Sequence, residues 1–170
     1  MPSFSFLKAL SKGVFMQENS VKLQDLIPVI EEILSSGGEF RIHPQGVSML
    51  PYLKEGRDSV MLSPLDRAPK RGDILLYRRT DGTLVLHRVV RVEEDGNLSM
   101  RGDNQYFIER GIRQEQVIAT VKRFYRGERE CSTDAIVSRL YRARRTLSYP
   151  FRRVLRALLR RVKRLMRGKA

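Results

Sequence analysis

Three residues carry the chemistry this chain could perform: Ser48, His87 and Asp103. Ser48 lies in Gly46-Val47-Ser48-Met49-Leu50-Pro51. There glycine and proline make a turn and set a hydroxyl on a stiff support. His87 lies inside the apolar run Leu84 to Val92 and, with side chains alternating along a strand, shares a face with Val85 and Val89. Apolar neighbours disfavour the imidazolium, so the ring is expected to be neutral near pH 7. A neutral imidazole can take the proton of a serine hydroxyl. Asp103, in Arg101-Gly102-Asp103-Asn104, offers a carboxylate that could hold the second imidazole nitrogen and stabilise the cation formed during reaction. Each residue also has an ordinary reading: a turn serine, a core histidine bonded to a carbonyl, an aspartate capping its own backbone.

Positioning these groups falls to a run of short strands. Phe40-Arg41-Ile42 reads as a strand entering the turn at Pro44-Gln45-Gly46. Ser59–Leu62 is a second strand and Ile74–Arg78, after the turn Lys70-Arg71-Gly72-Asp73, a third. Thr80-Asp81-Gly82-Thr83 is a hairpin signal, followed by the long strand Leu84–Val92. Glu94-Asp95-Gly96-Asn97 turns into Leu98–Arg101, and Val117–Tyr125 is read as the last strand. The centre is therefore mainly β, a coiled antiparallel sheet or partly open barrel with flanking helices. Before it, Ser20 can cap a helix over 20–34, whose apolar stripe ends at Ser35-Ser36-Gly37-Gly38. A shorter amphipathic helix fits residues 4–16. After Pro150, residues Phe151, Val154, Leu155 and Leu158 open a strict amphipathic helix whose other face is almost wholly arginine and lysine.

The order Gly-x-Ser-Met-x-Pro, Gly-Asp-Ile-x-x-Tyr, Leu-His-Arg-Val-Val and Gly-Asp-Asn resembles the signal peptidase I superfamily, which includes the catalytic domain of LexA-type self-cleaving repressors. It is most similar to the archaeal and endoplasmic-reticulum subgroup, where histidine replaces the catalytic lysine. The resemblance covers about residues 39–125. It implies a serine endopeptidase on the LexA/signal peptidase fold, with Ser48 as nucleophile, His87 as general base and Asp103 as supporting acid. That subgroup carries a further aspartate a few residues on, and Glu109 falls near its place. The Ser48 N–H would be one oxyanion donor. Gly46 stands where some relatives have a serine that supplies a second, and such donors are typically worth ~2.7–4 kcal/mol each. A peptide would add in extended form beside Phe40–Gln45, so Phe40, Ile42, Gly46 and Met49 are the expected substrate-binding residues. The expected reaction removes a leader or signal segment from a peptide or protein precursor. The other functions weighed are a self-cleaving LexA-type regulator and a non-catalytic peptide- or membrane-binding module. His43 is a poor alternative base, five residues from Ser48 along one segment. A histidine base predicts activity rising near the unperturbed pKa of ~6.5.

Composition bounds the rest. The 170 residues carry a net charge of +14, but no acidic residue follows Asp134 and residues 135–170 hold 13 Lys and Arg. The body is nearly neutral and the tail strongly basic. The organisation expected is an N-terminal helical segment (1–38), a catalytic domain (39–130) and a basic helical tail (131–170). The tail, through residues 150–167, suits an anionic membrane surface first, packing on the body second and nucleic acid last. One cysteine, Cys131, excludes an internal disulfide, and with two histidines it argues against a zinc site. No cofactor or metal is expected. No run of 18 apolar residues suggests a membrane span, and the expected location is cytoplasmic with peripheral membrane contact.

Overall fold

A computed structural model describes residues 23–133 and 140–141. The expected helices at 4–16 and after Pro150 lie outside the described residues, as does the Ser20 cap. Helix α1 runs Leu23–Ser35 and buries Ile27, Ile30 and Leu34 on one face. Pro28 is tolerated within it on an exposed turn, at the cost of one backbone hydrogen bond. The helix ends as its glycines require. Gly37, at φ 80°, donates its N–H to the Leu34 carbonyl, and Gly38 donates to that of Ile33.

Eight antiparallel strands follow: β1 (Phe40–Ile42), β2 (Asp58–Ser63), β3 (Ile74–Arg78), β4 (Leu84–Val92), β5 (Leu98–Arg101), β6 (Glu109–Ile112), β7 (Val117–Arg126) and β8 (Arg129–Ser132). They form one open sheet in the order β1-β2-β7-β3-β4-β5-β6, with β8 on the far half of β7. The mainly β architecture and six of these strands match the sequence patterns. Strands β6 and β8 do not. Val117–Arg126 is not the last strand, and the sheet continues to Ser132, past residue 130. Both short strands are charged, with two of four residues exposed in β6 and three of four in β8, so they carry no apolar alternation to betray them.

Strand β3 explains how the sheet supports a site. Its Ile-Leu-Leu-Tyr run is buried on both faces. Ile74 and Leu76 enter a large core with α1, β1, β2 and β7, which also takes Met49, Tyr52 and Leu53 from the segment after β1. Leu75 and Tyr77 enter a smaller core with Val89, Leu98, Met100 and Ile112. In the register of β3 with β4, Leu75 faces His87 and Ile74 faces Arg88. The two neighbours on β4 therefore point to opposite faces: His87 to the smaller core, Arg88 to the larger.

Candidate active site

The segment bearing Ser48 leaves β1 and is pinned from both sides. Gly46 adopts φ 83°, a left-handed conformation natural to glycine, and donates its N–H to Glu55 Oε2 at 2.9 Å. From the other side, Asn104 gives its backbone N–H to the Ser48 carbonyl at 2.7 Å and its side-chain amide to the Val47 carbonyl at 3.2 Å. Met49 then turns inward, 4% exposed, and anchors the turn in the larger core. Ser48 stays half-buried at the surface. Among the described residues, its N–H meets no backbone acceptor.

Gly102 brings this turn to the histidine. A methyl group on Gly102 would lie 2.7 Å from the Ser48 carbonyl oxygen and 3.0 Å from His87 Nε2. Only a hydrogen fits there, so the absence of a side chain is what allows the two segments to meet. Ser48 and His87, 39 positions apart in the chain, are thus brought together by the glycine of the Gly-Asp-Asn box. The contact at Ser48 runs through its carbonyl. Among the described residues no hydrogen bond joins Ser48 Oγ to His87 Nε2.

The other nitrogen of His87 is fully engaged. His87 is 2% exposed. Its Nδ1 lies 3.2 Å from the Tyr77 hydroxyl and 3.6 Å from Glu109 Oε1. The Tyr77 hydroxyl donates to Glu109 Oε2 at 2.9 Å, and Arg79 clasps the same carboxylate with Nε, at 2.8 Å, and Nη2. Sheet register accounts for the convergence. Tyr77 is the diagonal neighbour of His87 across β3 and β4. Glu109 faces Met100, which faces Val89 on the His87 side of the sheet.

Burial pushes the His87 pKa down from 6.5 to about 4; Glu109 and Asp103 oppose the shift and Arg79 adds to it. The ring is neutral at pH 7, as its apolar neighbours led one to expect. For Glu109, burial works against the charge, but hydrogen bonds from Arg79 and Tyr77 outweigh it and hold the carboxyl below its usual range. Burial and the adjoining carboxylate push the Tyr77 phenol well above its usual value, so it keeps its proton.

Asp103 does not take the place expected beside the imidazole. Its two oxygens accept from Arg88 Nε at 3.0 Å and Nη2 at 2.8 Å. Arg88 also donates to the Gly72 carbonyl and lies over the Tyr52 ring, 4.7 Å from its centroid. The reason is the alternation of β4: the carboxylate of the Gly-Asp-Asn box meets the residue after His87, on the opposite face. Tyr77 and Glu109 occupy the position beside Nδ1 instead. Glu109 had a sequence signal in its distance from the Gly-Asp-Asn box, and Tyr77 closes the Gly-Asp-Ile-x-x-Tyr box, though nothing in that box aimed it at His87; Arg79 had no signal.

Of the expected substrate-binding residues, Gly46 is exposed and Phe40 partly buried against the core, while Ile42 and Met49 are buried within it. Ile42 and Met49 therefore shape the turn from beneath rather than lining an open surface. Among the described residues, strand β1 pairs only with β2, so no described strand occupies its outer edge. Exposed apolar side chains, Val47 and Phe107, lie on the two loops that Asn104 ties together. No protein-family model matches the chain, and a search of curated proteins finds no match.

Proposed function

We propose that the chain is a serine endopeptidase of the signal peptidase I type, with Ser48 as nucleophile and His87 as general base. The observation that carries this reading is the meeting of the Ser48 turn and His87 Nε2 over Gly102, with the opposite imidazole nitrogen backed by Tyr77 and Glu109. A bland core histidine would have both nitrogens spent on structural partners. Here one faces the half-buried turn of a serine whose N–H is available to an oxyanion.

In the proposed reaction, a peptide lies along the outer edge of β1 and presents its carbonyl to Ser48. Ser48 Oγ attacks the carbonyl carbon while His87 Nε2 takes the hydroxyl proton. The carboxylate of Glu109 stabilises the imidazolium, the part expected of Asp103. His87 then protonates the leaving amine, and water, activated by the same nitrogen, releases the acyl group. Catalytic hydrogen bonds commonly tighten only when substrate binds, which suits the open Ser48–His87 arrangement. The substrate proposed is a leader or signal segment of a precursor. The basic tail at 150–167 is proposed to bring the enzyme to an anionic membrane surface.

Co-expression with a leader-bearing precursor tests the assignment. Ser48→Ala and His87→Ala should each abolish processing while circular dichroism keeps the parent's signature; melting should stay close to the parent for Ser48→Ala and fall for His87→Ala, whose side chain is buried. A Ser48→Ala protein that still processes the precursor rules out the nucleophile. Co-sedimentation with anionic vesicles, compared with a chain truncated after residue 133, tests the tail.

A further inference from the structure

A carboxylate beside a histidine stabilises the cation, but a general base also needs its lone pair on the correct nitrogen. Neutral imidazole has one N–H, and which nitrogen bears it is set by the bonds around the ring. In this site the decision falls on a hydroxyl. Glu109 is ionised and can only accept. Tyr77 has a single proton, and Glu109 Oε2 claims it at 2.9 Å. Arg79 holds the same carboxylate, lies beside the Tyr77 hydroxyl as well, and has no acceptor to offer. The remaining lone pairs of the Tyr77 oxygen face His87 Nδ1 at 3.2 Å. That oxygen must therefore accept, and Nδ1 must donate.

We infer that Tyr77 is a positioning residue that fixes the imidazole tautomer: its hydroxyl accepts the Nδ1–H of His87 and leaves the Nε2 lone pair facing Gly102 and the Ser48 turn. Glu109 Oε1, at 3.6 Å, is beyond direct hydrogen-bonding distance and acts on the ring through this oxygen. The charged groups facing the imidazole are Glu109 from β6 and Arg79 from just after β3; Asp103, on the opposite face of β4 with both oxygens on Arg88, acts on the ring only through its field. None of them is a proton acceptor closer to Nδ1 than Tyr77. The consequence for catalysis rests on the protease reading; the tautomer does not.

The test is the nitrogen-15 spectrum of the full chain labelled at histidine, recorded at neutral pH, with His87→Gln assigning the signals. The parent protein should show Nδ1 protonated and Nε2 bare. Tyr77→Phe, which keeps the buried ring and deletes the oxygen, should raise the population protonated at Nε2. Glu109→Ala frees the Tyr77 proton to turn toward Nδ1 and should move the imidazole proton to Nε2, so the inference stays testable if the phenylalanine variant does not fold. On a cleaved peptide, Tyr77→Phe should lower kcat by about tenfold to a hundredfold with KM little changed. A parent spectrum protonated at Nε2, or variant spectra identical to the parent, overturns the inference. Should the tautomer shift as expected while the parent cleaves no precursor, the protease reading falls and the role of Tyr77 stands.

Discussion

Two carboxylate–arginine pairs flank His87, and they do different work. Asp103–Arg88 is the more buried, with side chains 6% and 9% exposed. It sits on the far face of β4, ties the Gly-Asp-Asn loop to the Gly72 carbonyl and the Tyr52 ring, and so holds Gly102 and Asn104 against the Ser48 turn. Glu109–Arg79 is more open and reaches the imidazole through Tyr77. The first pair sets where the loop lies; the second acts on the charge and proton of the imidazole. A box of residue types near a histidine therefore does not say which of its members faces the ring.

The comparison breaks most severely at the buried pair. Arg88→Ala leaves the Asp103 carboxylate buried and unpaired, and should cost about 3–5 kcal/mol of stability. Urea unfolding monitored by circular dichroism reads that loss. Removing the more exposed partner pair with Glu109→Gln should cost only about 1 kcal/mol while lowering cleavage far more. Equal stability losses in the two variants would erase the distinction between them.

The pH dependence sharpens the second pair. The unfolded His87 side chain takes up a proton near 6.5, the folded one near 4. Between those values the unfolded chain binds more protons, so stability should fall as pH drops from 6.5 toward 4 and level off below. One pKa unit corresponds to about 1.4 kcal/mol, which makes this a contribution of a few kcal/mol. His87→Gln should flatten that window in a series of melts at stepped pH. Cleavage should persist to well below pH 6, with its acid limb near 4; a limb near the unperturbed 6.5 would mean the base is less buried than its neighbours require.

Gly102→Ala tests the seam between the two pairs. Its methyl group would enter the space between the Ser48 carbonyl and His87 Nε2, and such overpacking typically costs about 1–3 kcal/mol. Activity should fall with it, and an alanine variant as stable and active as the parent would show that the contact is loose. The smallest effect belongs to the exposed pair Arg78–Glu31, which links β3 to α1 at 3.0 Å. Glu31→Gln should change stability by less than about 0.5 kcal/mol.

Much of the fold was legible because the strands that carry it alternate or run apolar. Residues 40–42, 74–78 and 84–92 announced their strands, and the paired glycines after α1 announced its end. The charged strands β6 and β8 stayed hidden, and with β6 went the aim of Glu109. Ser48 and His87 were singled out as residue types in suggestive settings, and the low pKa of His87 followed in direction from its neighbours Val85 and Val89. The Asp103 assignment failed on a matter of faces: one step along β4 separates His87 from the arginine that captures the carboxylate.

By itself, the order of residues determined that a serine turn, a buried histidine on a long strand and an acidic box would stand on a mainly β frame, because alternation and turn chemistry are local. Which carboxylate meets the ring, which nitrogen holds the proton and how closely the turn approaches were decided by tertiary structure alone. Those depend on strand register across β3, β4, β5 and β6, where a slip of one residue sends a side chain to the opposite face.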